Sequence, residues 1–249
     1  MANIAGPKTI GELDLYQTMT TVPSGFVIGD LVFGPNGKTF RLALVGASNL
    51  VMGNVLQSSA VDTQFTNMAV PTAITAAQVT AGVSQIDITN GTTTVTANQF
   101  DGGSLSIYTA GTIAIGDEYT IIGHTTGTSG QTLTLYLDRP IRAAITTSAK
   151  VNMRRSPWSG VIQSPATTLT GTPAGVAMFA ATAATYAFVQ TGGVGAVLSD
   201  GTSIIVGSGL QVPSGTAGAV TLSTGLAQIG YAMQAAAAAH AIGAQLYIN

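Results

Sequence analysis

Short runs of alternating apolar and polar residues, each closed by a glycine-bearing turn, occupy most of this 249-residue chain. In "TLTLYL" (132–137), Leu133, Leu135 and Leu137 alternate with threonine and tyrosine. In "KTFRLALVGA" (38–47), Phe40, Leu42 and Leu44 alternate with Thr39, Arg41 and Ala43. A period of two sends successive side chains to opposite faces, the pattern of a half-buried strand. Asn-Gly stands between such runs at 36–37 and 90–91, the pair that type I′ hairpin turns favour. "VSQIDITNGTTTVTA" (83–97) therefore reads as strand, turn, strand. The last hundred residues continue in this style with "TYAFVQTGG", "GTSIIVGSG" and "IGAQLYIN". Many short, turn-bounded strands predict an all-β fold, a β-barrel or sandwich. One run favours helix, "QAAAAAH" at 234–240. It is too short to hold an isolated helix and reads as a loop or single turn between the last two strands.

The same reading gives an organisation. Residues 1–24 carry Gly6, Pro7, Gly11 and Pro23 with little periodicity and read as an extended N-terminal arm. Residues 25–70 and 159–249 read as two parts of one β-barrel domain. Between them, 71–158 read as an additional β-rich unit, inserted or adjacent; 58–80 are ambiguous. Four runs, "SGFVIGDLVF", "LVMGNVL", "GTIAIGDEYTI" and "GTSIIVGSGL", place a glycine and then a small polar residue inside an apolar stretch. Such glycines suit bends or bulges that help a sheet close on itself.

Charged residues are only 7% of the chain, against roughly 25% in an ordinary soluble domain. Little charge keeps copies apart, so much of the surface is expected to be covered by other copies or by a partner. The net charge of -2 gives no global attraction to nucleic acid or an anionic membrane. The absence of cysteine removes disulfides, thiolate catalysis and thiolate-held metals. "MANIAGPKTIGELDL" lacks the basic and apolar regions of a signal peptide, and "AMQAAAAAHAIGA" is too short and too weakly apolar to span a bilayer.

The usual chemical motifs fail on inspection. "GPNGKTF" resembles a phosphate loop, but Val32 stands where the motif needs its first glycine, and the hairpin reading is preferred. His124 and His240 are isolated in the sequence and read as polar loop residues. Asp117 and Glu118 are adjacent, so a strand would send them to opposite faces, which does not suit a glycosidase pair. "NGT" at 90–92 matches a glycosylation acceptor and reads as a turn. No catalytic residue, metal ligand or cofactor is expected.

The positive charge is unevenly placed. Of eight Lys and Arg, five lie between 139 and 160: Arg139, Arg142, Lys150, Arg154 and Arg155, close to the only tryptophan, Trp158. A nucleic-acid site would spread more charge over a clearly basic domain. Arg and Trp also anchor protein interfaces. Interface and structural pairing, for example with Asp138, stand level as readings, ahead of nucleic acid. An aromatic glycan groove in the middle unit would have to draw on Tyr108, Tyr119, Tyr136 and Trp158.

Several stretches, taken together and in order, resemble one family. "KTFRLALVGASNLVMGNVLQS" is similar to a segment of tailed-bacteriophage virion proteins in which a strand leads to an "LVAG"-like turn and a leucine-glutamine pair. "LTLYLDRPIRAAITTSAKVNMRRSPWSGVIQSP" resembles their "PIR-x-A-(I/L)-TTSS" run and the aromatic element after it. "TYAFVQTGGVGAVLSDGTSIIVGSGLQVPS" and the "AQIGYAMQA…AQLYIN" tail are similar to their later strands. The pattern departs at Ser156, at Trp158 and at Gly192-Gly193. The resemblance, over about 40–249, is to head decoration (cement) and other minor capsid proteins. It implies a non-enzymatic virion structural protein on the capsid surface, made in the host cytoplasm, with the major capsid protein as partner, a homotrimer, and neither nucleic acid nor membrane bound. The alternatives are a head fibre, tail or baseplate component, or a glycan- or receptor-binding module. Capsid or subunit contacts are expected at Leu13, Leu15 and Tyr16 of the arm, which could add a strand to a capsid subunit, and at Arg139, Arg142, Arg154, Arg155 and Trp158.

Overall fold

The computed structural model describes residues 10–69, 80–96, 99–109, 116–146 and 148–248. Nearly all regular structure among them is strand. The chain opens with β1 (Leu31–Phe33), β2 (Thr39–Val45) and β3 (Val55–Gln57). It continues with β4 (Met68–Ala69), β5 (Gln85–Thr89), β6 (Ser104–Thr109), β7 (Glu118–His124), β8 (Thr132–Leu137) and β9 (Lys150–Arg154). It ends with β10 (Ser159–Gln163), β11 (Pro173–Val176), β12 (Tyr186–Leu198), β13 (Gly209–Val212), β14 (Thr221–Leu222), β15 (Ala227–Ala232) and β16 (Ala241–Tyr247). The helical turns among the described residues are short 3-10 segments, the longest Glu12–Tyr16. No described helix is long and apolar enough to cross a membrane.

Two compact units divide the chain. The inserted one runs from 61 to 156, and the other joins the chain before it to the chain after it. The inserted unit starts at Val61 rather than at 71 because Phe65 and Met68 are buried in its core and β4 pairs with β9. Residues 70–79, part of the stretch read as ambiguous, lie outside the described residues.

Within the inserted unit the sheet order is β4-β9-β6-β7-β8-β5, every pair antiparallel. The end strands β4 and β5 lie alongside each other, so the sheet curls almost to closure. The alternation seen in "TLTLYL" sends Leu133, Leu135 and Leu137 into this core, beside Ile86, Ile88 and Ile121. One expected hairpin is corrected. Across Asn90-Gly91 the following run forms only a bridge, Val95 to Gly127, and β5 pairs instead with β8. The Asn90 side chain explains this. It is buried, and its amide donates to the carbonyls of Thr93, Gly127 and Thr128 at 2.9, 3.1 and 2.9 Å. It plugs three loop carbonyls rather than turning a hairpin.

In the other unit, β2, β10, β3, β11 and β12 pair in a closed ring, with β10 parallel to β2 and the remaining pairs antiparallel. Ring closure leaves these strands no free edge between them. The interior is filled by small side chains, among them Ala43, Val45, Ala174, Val189 and Ala187. The outer face of β2 and β12 carries Phe40, Leu42 and Phe188, which are fully buried as well.

Strand β12 changes partner along its length within one ten-stranded sheet. Tyr186 to Gly192 pair with β2, and Gly192 to Leu198 pair with β16. From there β16, β15, β13 and β14 follow, and a parallel bridge from Val220 to Ser199 almost closes a second ring. Its own core includes Val197, Leu210, Val220, Ile229, Ile242 and Leu246. The switch falls on Gly192-Gly193, one of the departures from the virion-protein pattern. Gly193 has φ 78°, and a Cβ there would meet the Gly37 carbonyl and Lys38 Cα at 2.8 Å. Only glycine allows both the backbone turn and the close approach.

The four echo glycines have a shared conformation. Gly29, Gly53, Gly116 and Gly207 all have positive φ, between 81° and 91°. They sit in turns that lead into β1, β3, β7 and β13, rather than in bulges within strands. The loop carrying Asn36-Gly37 does join an antiparallel hairpin, β1 to β2, but it is longer than a two-residue turn, with Gly34 N–H donating to the Lys38 carbonyl at 2.9 Å. The poly-alanine run forms no helix; Ala236 bridges to Ile204.

Candidate functional site

The arm residues are not presented together. Residues 10–24, the described part of the stretch read as an arm, lie on the outer face of β2 and β12. Glu12–Tyr16 forms a 3-10 turn whose Leu15 is 1% exposed, packed with Val32, Phe40, Leu42 and Phe188 of its own unit. Tyr16 sets its ring edge-on to Phe40, centroids 6.3 Å apart. Met19 pairs with Tyr186 by backbone bonds in both directions. Leu13 is turned out, 87% exposed, and Tyr16 keeps part of its ring in solvent. The three cannot act as one strand added to a partner, because Leu15 is already committed to this chain's core.

The basic stretch is likewise dispersed. Arg142 makes a forked ion pair with Asp117, Nη2 to Oδ1 at 2.9 Å and Nε to Oδ2 at 3.2 Å. That hydrogen-bonded guanidinium holds the Asp117 carboxyl below the usual carboxylate range, and Asp117 raises the Arg142 value in return. Arg139 donates to the Glu118 carbonyl and lies over the Tyr119 ring, 4.9 Å from its centroid. Arg155 lies over Phe100 at 5.5 Å, and burial lowers its pKa, with Asp62 acting in the opposite sense. Arg154 is exposed, opposite Ser104 on β6. Trp158 falls in the other unit. Its indole N–H donates to the Ala174 carbonyl at 3.0 Å, and Arg41, whose pKa burial lowers, stacks over it at 4.3 Å. Arg142, Arg139 and Trp158 thus have structural partners inside their own units.

The remaining candidates separate too. Tyr119 is buried, while Tyr108 and Tyr136 are exposed on β6 and β8 with β7 between them. His124, expected in a loop, ends β7 and is buried. Its Nε2 accepts from Phe100 N–H at 3.0 Å, and its Nδ1 lies 2.8 Å from the Thr125 carbonyl. Among the described residues, no group of three or more His, Cys, Asp or Glu could hold a metal ion. An open groove of about 490 Å³, lined by residues such as Ile10, Asp14, Met19 and Phe26, lies in the N-terminal segment.

A feature the sequence reading passed over is the outward face of β12, β16 and β15. In "AIGAQLYI" the even positions Ile242, Ala244 and Leu246 point inward, so Gly243, Gln245 and Tyr247 point out. Val194, Gln245 and Tyr231 are direct neighbours across the three strands. Tyr247 stands opposite Gly192 and Tyr231 opposite Gly209, so each ring flanks a position without a side chain. The two rings meet edge to face with centroids 5.9 Å apart. Val194, Tyr231, Met233 and Tyr247 are all exposed. The exposed Ile205-Val206 turn is tied to the end of β15, where Gly207 N–H donates to the Ala232 carbonyl at 2.8 Å.

This face carries no charge. From residue 159 to the end of the chain, Asp200 is the only Asp, Glu, Lys or Arg. Its carboxylate is occupied locally, accepting from Thr202 N–H and Oγ1–H at 2.9 and 2.6 Å. A face of exposed Tyr, Met and Val without charge matches the core of a protein interface, where aromatic and Met side chains are enriched and charges depleted. The T-shaped tyrosines present a ridged surface rather than the flat platform on which a sugar ring would stack. The signal was present in the sequence, as period-two alternation around Tyr231 and Tyr247 and as a charge gap over the final third.

No protein-family model, curated protein or solved structure matches this chain.

Proposed function

We propose that the chain is a non-enzymatic structural protein of a tailed-phage virion, a decoration protein that binds the outside of the head and links neighbouring major capsid subunits. The observation that carries this reading is the uncharged outward face of β12, β16 and β15, with Tyr231 and Tyr247 as its aromatic anchors. The partner is a capsid subunit whose contact surface is also apolar and uncharged, since burying an unpaired charge against this face would cost several kcal/mol. Copies repeated by head symmetry gain avidity from individually modest contacts. The sequence resemblance adds the expectation of a trimer at local three-fold positions of the head.

The test is the molar ratio of this protein to the major capsid protein in purified virions, by quantitative mass spectrometry. The reading expects comparable copy numbers, as for a protein spread over the whole lattice. A handful of copies per virion would move the protein to a fibre, a vertex or the tail and overturn the decoration reading.

A further inference from the structure

The chain contains two Asn-Gly pairs outside its strands, and the fold treats them in opposite ways. Asn-Gly is the dipeptide in which the next residue's amide nitrogen most easily attacks the asparagine side chain, because glycine puts no side chain in the way. Asn36 is exposed between exposed Pro35 and Gly37, in the loop joining β1 to β2. Its backbone is left-handed, φ 56° and ψ 34°, and Gly37 follows at φ 72°. A Cβ on Gly37 would meet nothing within 4 Å, so that side of the dipeptide is open. The loop is closed by Gly34 N–H to the Lys38 carbonyl at 2.9 Å and by a long bond of 3.3 Å from Lys38 N–H to the Pro35 carbonyl, neither of which engages the Asn36 carboxamide.

Asn90 is the reverse case. It is buried, and its amide nitrogen donates to three carbonyls. Its own N–H donates to the Gln131 carbonyl at 2.8 Å, and the Gly91 carbonyl accepts from Gly130 N–H at 3.1 Å. A Cβ on Gly91 would meet Gln64 at 3.0 Å. Neither side chain nor backbone is free to reach the geometry of attack.

We propose that Asn36 is a site of spontaneous deamidation in the folded protein and that Asn90 is protected from it. The Gly37 amide nitrogen attacks Asn36 Cγ, losing its proton to solvent base as the new C–N bond forms. The carboxamide C–N bond breaks and ammonia leaves, giving a succinimide. Water then opens either carbonyl of the ring, leaving aspartate or isoaspartate at position 36. Overall one water is consumed and one ammonia released. The product adds a carboxylate, moving the formal net charge from -2 to -3. Isoaspartate also inserts a methylene into the backbone of a loop that packs on Gly193, at the point where β12 passes from one ring to the next. The modification would therefore loosen that junction as the protein ages.

The experiment incubates the purified full-length chain in mildly alkaline buffer made with ¹⁸O water, natively and in denaturant, and follows both asparagines by peptide mapping. In the folded protein, label enters position 36 faster than position 90 by about ten-fold or more, because Asn90 reacts only after local opening. In denaturant the two rates converge. An Asn36→Ala variant loses the acidic species seen on ion exchange. Equal native rates, or native conversion of Asn90 ahead of Asn36, would overturn the proposal, as would an Asn36 that stays unlabelled while the unfolded chain reacts.

Discussion

Asp101 sits at a disadvantage that the fold itself creates. One of its carboxylate oxygens is buried with no hydrogen-bond partner. Burial pushes its pKa up, and His124 nearby acts in the opposite sense. Between the ordinary carboxylate value of about 3.9 and the raised one, the folded state binds more protons than the unfolded state. Stability therefore falls as pH rises through that window and stays lower above it. Asp101→Asn, uncharged at every pH, is expected to raise Tm at neutral pH, with the gain vanishing below the ordinary carboxylate range. Thermal unfolding of both proteins at the two pH values checks this, and a lower Tm for the variant at neutral pH would contradict it. At this scale the sequence was a poor guide. Five cations clustered between 139 and 160, yet the groups that receive three of them lie far away in sequence: Asp117 just before β7, Tyr119 on β7 and Phe100 in the turn ahead of β6. His124 looked isolated for the same reason: Phe100 and Asp101 reach it only through the folded sheet.

Among the elements, the N-terminal segment departs furthest from its sequence reading. Glycine, proline and weak periodicity suggested a free arm, and nothing local distinguished Leu15 from Leu13. Leu15 is buried because β2 and β12 present an apolar outer face, with Phe40, Leu42 and Phe188, that a single-layer barrel must cover. Leu15→Ala is expected to destabilise this unit by about 2–5 kcal/mol, as for other large-to-small core changes, whereas Leu13→Ala should leave it nearly unaffected. Chemical denaturation of both variants tests the assignment, and equal midpoints would refute it. Removing residues 1–20 should unfold or weaken this unit rather than merely detach a tether. Alternating runs such as "TLTLYL" were legible because period two fixes which face is buried. Pairing was not: β5 chose β8 over its sequence neighbour, a decision made by the buried Asn90 amide.

For the whole molecule, the all-β, barrel-like architecture was legible from turn spacing alone, and the uneven charge was legible from composition. The direction that charge pattern pointed was not. The cation-rich stretch finds partners within its own unit, through Arg139 and Arg142, while the exposed aromatic face of β12, β16 and β15 is the one without charge. There Val194, Tyr231 and Tyr247 lie across three strands of one sheet. The most direct test replaces each tyrosine singly by arginine and measures binding to heads that lack the protein. Tyr231→Arg and Tyr247→Arg are each predicted to lose about 2 kcal/mol or more of binding, as for aromatic anchors at an interface core. Both side chains are exposed, so Tm should stay near that of the parent chain. Folded variants that still decorate heads with undiminished affinity would contradict the account.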